Sequence, residues 1–206
     1  MKNKDKILHS SLRLFNQNGF VNVRLQHISD DTIISVGNIA YHFKNKEAIV
    51  NTLFQDWEKE VKELLIEYRH TPIFESMDRI FLSMEALQEE YRFFFSDILE
   101  VKRAYPDLFQ QIQLVYQFQL IAFQEIIRFN VARGAMQKME EKQLEFLAQL
   151  VVHHLHNWPI RNLLNQDGDL PQELSAFIWD LFHPYLTSSG QSELSVLIHK
   201  KITIED

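Results

Sequence analysis

Residues 35–49 read SVGNIAYHFKNKEAI. Ser35 stands where a helix N-cap belongs, its hydroxyl placed to accept the amide hydrogen of Asn38. Ile39 and Phe43, at i and i+4, give the segment one apolar stripe, and Val36, Asn38, Tyr41 and His42 fill the other face. A helix this short cannot form a core by itself, so its polar face is left to meet something outside the chain. KNKE then opens a new apolar pattern, the start of a longer helix.

Upstream, Ile7, Leu8, Ser11, Leu12, Leu14 and Phe15 recur at helical spacing, and Gly19 closes the pattern. Leu25 and Ile28, with Ile33, mark a second short helix, and Ile34 follows as a buried turn residue. Residues 1–48 therefore read as three short helices with a tight turn between the last two. That is a helix-turn-helix, whose second helix is sized for a DNA major groove. Phe15, Phe20, Ile39 and Phe43 are its expected core.

The runs ILHSSLRLFNQNGF (7–20) and ISDDTIISVGNIAYHFKNKEAI (28–49) resemble the DNA-binding head of the tetracycline-repressor (TetR/AcrR) family. The usual pattern there is IL…AL.LF...GF, then IA...GVS.G.LY.HF..KE.L. The likeness covers residues 5–53, about a quarter of the chain, and rests on the order and spacing of the elements together. Three positions depart from the pattern. Ile33 replaces the turn glycine, so the turn is expected to do without the left-handed conformation that glycine favours. Val23 replaces the hydroxyl before the second helix, leaving Asn22 as a substitute cap. Ala40 replaces the first aromatic and removes one expected DNA contact.

The resemblance implies a set of DNA contacts. Ser35, Val36, Gly37 and Asn38 lie at the exposed start of the recognition helix. Gly37 permits close approach, Asn38 can pair bidentately with an adenine edge, and Val36 can meet a thymine methyl. Tyr41, His42, Lys44 and Lys46 match phosphate-holding positions, as do the free amides where the next helix begins. Gln26 aligns with a position that sometimes reaches a base. Read singly, His42 could equally cap a helix end, Tyr41 could pack, and Lys44 and Lys46 could be solvated charges.

Charge supports this division of labour. The first 50 residues carry seven basic and four acidic side chains, +3, whereas the other 156 carry 14 basic and 24 acidic ones, −10. A basic head on an acidic body suggests that the head alone meets a polyanion. Cysteine is absent, which removes disulfides and thiolate metal sites. The basic N-terminus lacks an apolar core and a cleavage site, so no signal peptide is expected. The longest uncharged run, 108–124, contains six glutamines and is too polar for a membrane span. A cytoplasmic, all-α protein without membrane partner or cofactor is expected.

The body, residues 49–206, reads as a helical bundle for effector binding and dimerisation. A helix from Lys46 to about Arg69 should end before Pro72, followed by helices near 73–87, 89–104, 107–133, 141–164, 171–187 and 191–202. The total is nine or ten. The 107–133 helix is apolar nearly all round and belongs mid-bundle. By resemblance the body dimerises, so that two recognition helices face a near-palindromic operator in double-stranded DNA, and it binds a small, largely apolar effector that releases a repressor. Candidate ligand-lining residues are Tyr91, Phe94, Phe95, Tyr116, Phe118, Phe123, His153 and Trp158. The candidate homodimer seam is Leu144, Leu147, Val151, Leu155, Phe177, Leu181 and Tyr185.

Two other readings compete. The body could serve only to dimerise or to bind a protein partner. A helical-bundle metalloenzyme would use the HHLHNW run at 153–158, where His153 and His156 share a face, or the pairs Glu67/His70 and Asp180/His183. Two imidazoles lack a third ligand, HExxH is missing, and a di-iron bundle needs paired motifs on facing helices. No metal and no enzymatic activity are expected.

Overall fold

The computed structural model describes residues 2–67, 71–164 and 173–205. Among these are eleven α-helices and no strand. They are α1 (Asn3–Asn18), α2 (Leu25–Thr32), α3 (Val36–His42), α4 (Lys46–Glu67), α5 (Phe74–Glu90), α6 (Phe93–Ser96), α7 (Ile98–Ala104), α8 (Pro106–Ala132), α9 (Glu141–Leu164), α10 (Leu174–Phe182) and α11 (Ser188–Glu205). The expected 89–104 helix is two helices. α5 runs on to Glu90, and Phe93, Phe94 and Phe95 are all buried within the short α6 that follows it. Asn16 seals the junction of α5 and α6, donating from Nδ2 to Glu90 O at 2.7 Å and accepting the Phe93 amide at 3.1 Å.

The chain forms two compact units, Met1–Val61 with Leu87–Leu114, and Lys62–Ala86 with Val115–Asp206. The head expected at 1–48 lies wholly in the first unit, and residues 49–206 contribute to both. In the first unit Ile7 and Phe15 of α1, Ile28 of α2, Ile39 of α3 and Phe43 are buried together with Phe20. Ser10 and Ser11 supply small side chains on the inward face of α1. Phe93 packs against Phe15 and Phe20 at ring distances of 5.3 and 6.4 Å. Gly19 ends α1 at φ 74°, and a Cβ there would stand 3.2 Å from Asp97, whose carboxylate accepts the Phe20 amide at 2.9 Å. Further along, Trp57 of α4 sits among Phe54, Phe94 and Phe95.

The second unit is built around Phe81, whose ring meets those of Phe123, Trp179 and Phe182. Two polar nodes are sealed inside it. Asn130 donates to Pro72 O and Ile126 O. Asp78, 3% exposed, accepts from Ser175 Oγ, Trp179 Nε1 and Lys201 Nζ, so that α11 is tied to α5 and α10 by a paired charge. Gly190 opens the way for α11, since a Cβ there would lie 2.1 Å from Ala135 O. Among the described residues no helix is long and apolar enough to cross a membrane.

Candidate nucleic-acid interface

The turn between α2 and α3 is built from four residues. Thr32 Oγ1 donates to Ile28 O at 2.6 Å and accepts the Ile34 amide at 3.3 Å. Ile34 is 8% exposed and anchors the turn inward. Ser35 caps α3, its hydroxyl accepting the Asn38 amide at 3.3 Å. Ile33 adopts the left-handed conformation, φ 57° and ψ 30°, at the C-cap of α2. The expectation that the turn avoids this conformation is corrected: the geometry of the motif is kept, and the isoleucine carries the strain.

α3 turns part of the expected contact set outward. Ser35, Gly37, Asn38, Tyr41 and Lys44 are exposed, Tyr41 at 85%, while Val36 and His42 are half-buried. The Tyr41 ring meets His42 edge-on at 5.3 Å. A Cβ on Gly37 would touch nothing within 4 Å, so the fold itself does not require glycine there. Helix propensity also argues against a glycine in this place, so packing within the chain does not account for it. Gln26, also exposed, donates to Asp30 Oδ1 at 2.7 Å. Asp31, beside α1, is held below the usual carboxylate pKa by the Arg13 guanidinium and then the Ser10 hydroxyl.

Arg24 is one of the head's basic residues and lies outside the expected contact set. It is the exposed N-cap of α2, where its amide donates to His27 Nδ1 at 3.2 Å. The sequence signal for it is a basic residue at the start of a helix that flanks the reading helix. The cap of α2 is completed by His27, not by Asn22, whose side chain donates back to Asn18 O.

Lys46 is a correction. Its ammonium turns inward and donates to Phe20 O at 2.7 Å, Val23 O at 3.0 Å and Val21 O at 3.3 Å, and lies 5.5 Å from the Phe20 ring centre. Three donors meet three carbonyls, so no N–H remains for a phosphate. Burial pushes the Lys46 pKa below the ordinary lysine value. Its work is to close the loop between α1 and α2. Nor are all the amides opening α4 free, because Asn45 Oδ1 accepts the Ala48 amide at 2.9 Å.

The expected ligand-lining aromatics do not converge. Tyr91, Phe94 and Phe95 are buried in the first unit, the tyrosine hydroxyl 3.5 Å from Glu60. Burial raises the Tyr91 pKa, with Glu60 adding to it. Phe123 stacks on Phe81, and Trp158 is 2% exposed with Nε1 donating to Glu85 at 2.9 Å; both are corrected to core residues because packing covers them. Phe118 alone of the candidates reaches an open cleft of about 480 Å³ in the second unit, which Leu65, Ile66, Ile121, Phe129 and Arg128 also line. Tyr116 and His153 flank a separate shallow groove of about 430 Å³ between α8 and α9.

Leu144, Leu147, Val151 and Leu155 are at most 4% exposed within one protomer, so they are corrected from seam to core: a side chain already covered adds no area to an interface. Phe177, Leu181 and Tyr185 remain half-buried. The outward stripe of α9 is Phe146, Leu150, His153, Asn157, Ile160 and Leu164, with Phe146 57% and Leu164 83% exposed. His156 is a neighbour of a different kind. Its Nε2 meets Gln119 Oε1 at 2.5 Å, and burial, then the charge of His153, depress its pKa to about 4. Among the described residues no three His, Cys, Asp or Glu side chains gather as a metal site. His70 of the Glu67/His70 pair lies outside the described residues.

Known proteins resemble this chain over nearly its whole length. A family described as "Bacterial regulatory proteins, tetR family" matches residues 7–53, and one described as "Bacterial transcriptional repressor" matches residues 56–194. The probable transcriptional regulator YttP of Bacillus subtilis is 23% identical over 200 residues, 95% of this chain and 91% of that protein. The biofilm operon negative regulator IcaR of Staphylococcus aureus is 27% identical over 109 residues, 53% of each. A TetR-family regulator from Marinobacter aquaeolei superposes with a TM-score of 0.85 at 30% identity, over 95% of this chain and 97% of that one. PfmR from Thermus thermophilus, at 19% identity and TM-score 0.68, over 86% of this chain and 97% of that one, shares the fold.

Proposed function

Because the chain belongs to the TetR family of bacterial transcriptional regulators, a DNA-binding family, we propose that it acts as a repressor: a twofold dimer that sets two copies of α3 into a near-palindromic operator and releases it when an apolar molecule enters the body. The observation that carries this reading is the α3 face. Ser35, Gly37, Asn38, Tyr41 and Lys44 stand exposed on one short helix whose other side is locked into the core by Ile39. Base recognition requires side chains held in place yet uncommitted to the protein. Arg24 and Lys44 supply charge for phosphates beside it.

The dimer uses the outward stripe of α9, Phe146, Leu150, Ile160 and Leu164, with Phe177 and Leu181 of α10. Exposed apolar side chains spaced along one side of a long helix suit a helix of a second copy. A twofold pair then spaces the two reading helices about 34–36 Å apart, one turn of DNA.

The effector site is the cleft of about 480 Å³ along α8. Its walls are apolar apart from Glu125 and Arg128, and Arg128 is paired with Glu125 and Glu141. An apolar molecule of modest size suits that chemistry. Leu65 and Ile66 on its wall belong to α4, whose first residue closes the loop under the reading head. An effector acts only through its different affinity for the operator-bound and free states, and a 100-fold loss of DNA affinity corresponds to about 2.7 kcal/mol of coupling.

Selection of duplexes from a random-sequence pool tests the reading. It should return a near-palindromic motif with half-sites about 10 base pairs apart, bound by two protomers. A motif without twofold symmetry, bound by one protomer, would overturn the dimeric mechanism.

A further inference from the structure

Ile33 is the one non-glycine residue among those described with a positive φ, 57°. It is also 93% exposed. A β-branched side chain is unusually costly in this region of backbone space, which glycine or asparagine enters easily. The turn does not need isoleucine: Thr32 and Ile34 hold the backbone, and Ile34 supplies the buried contact. Nor does the core gain from a side chain that lies almost wholly in solvent. Backbone strain of this kind clusters at functional sites.

The position narrows what that function is. With Ile34 turned inward, Ile33 and Ser35 are the flanking residues left facing out, and Ser35 caps the helix whose exposed face carries Gly37 and Asn38. Ile33 is therefore an exposed apolar group two residues before the N-cap of α3, in the turn that leads into the reading helix. The apolar feature that a major groove offers is the 5-methyl group of thymine.

We infer that Ile33 is a base-reading residue that packs against a thymine methyl in the operator, adding an apolar contact to the polar ones of α3. This rests on the regulator reading above. It accounts for the strained side chain at a turn where glycine would serve the fold better.

The test uses the full chain and the duplex that the wild-type protein selects from a random-sequence pool. Each thymine of that duplex is replaced in turn by uracil, which removes only the methyl group. Wild-type protein should lose about four-fold in affinity at one position in each half-site, the value of one buried methyl-sized group. Ile33→Gly should bind the thymine duplex more weakly and be indifferent to uracil at that position, with a melting temperature no lower than wild type. Ile33→Asn, which also suits the left-handed turn, should behave the same way and guards against a misfolded glycine variant. If both variants keep the wild-type affinity, or keep the wild-type sensitivity to uracil at every position, the inference is overturned while the regulator reading stands. If the wild-type protein selects no duplex at all, both fall.

Discussion

Replacing Lys46 with methionine isolates the role of its ammonium, because the stem is retained and only the charged head is removed. The head donates to three carbonyls of the loop between α1 and α2, two of them in part-buried contacts and the third, Val21 O, open to water. A hydrogen bond from a charged donor is worth about 1.5–3 kcal/mol net. Water can replace the exposed bond, so the two sheltered ones set the loss. Removing a partly buried ammonium also recovers some desolvation, visible in the lowered pKa of Lys46. The balance is a destabilisation of about 2–4 kcal/mol. For a chain of this size that lowers the melting temperature by roughly 5–15 °C. Thermal unfolding followed by circular dichroism measures it, and hydrogen exchange should show faster opening of the amides in 19–24. The salt dependence of DNA binding should be unaltered below the melting transition. An unchanged melting temperature with a salt slope reduced by about one would mean that Lys46 leaves the loop to hold a phosphate, and the inward assignment would be wrong.

Gly37→Ala should stabilise α3 by up to about 0.5–1 kcal/mol, since the added Cβ meets nothing in the protein, yet weaken duplex binding about ten-fold or more through crowding at the DNA surface; anisotropy and melting curves on one preparation report both. His156 has a folded pKa of about 4 against an unfolded value of 6.5, so between these values the unfolded chain binds more protons and stability rises with pH. The melting temperature should fall as pH drops from 6.5 towards 4, and His156→Gln should flatten that slope. Gln88 is wholly buried and neither of its amide atoms has a partner. Gln88→Met should therefore raise the melting temperature, because an apolar group of similar length needs no hydrogen bond; a lower one would reveal an internal water or ligand bound by the amide.

The head was legible because its signals are local. Ile7, Phe15, Ile39 and Phe43 keep helical spacing and are all buried, and the Ser35 cap is a contact between residues three apart. Lys46 was not legible in the same way. Nothing in a lysine opening a helix says that carbonyls 23 to 26 residues away will accept its hydrogen bonds. Ile33 could be seen as a departure from the family pattern, but only the backbone shows that it accepts the left-handed geometry instead of avoiding it. In α9 the difficulty was an excess of signal. Leucines and other apolar residues form two stripes on this helix, and periodicity cannot say which one faces inward. The structure buries Leu144, Leu147, Val151 and Leu155 and leaves Phe146 and Leu164 exposed. The aromatics expected around one ligand were sorted among several packing sites, since an aromatic at helical spacing fills a core as readily as it lines a cavity.

The central claim is that α3 reads base sequence, and equilibrium anisotropy tests it most directly. Wild-type protein and Asn38→Ala would be titrated against the selected duplex and a scrambled duplex of equal length and composition, at low and near-physiological salt. The account predicts that wild-type protein prefers the selected duplex by about 10³-fold or more, with affinity falling steeply as salt rises. Asn38→Ala should lose about 1–3 kcal/mol of that preference while binding the scrambled duplex as before. Equal affinity of the wild-type protein for both duplexes, or an Asn38→Ala variant with undiminished preference, would contradict the assignment of α3 as the reading helix.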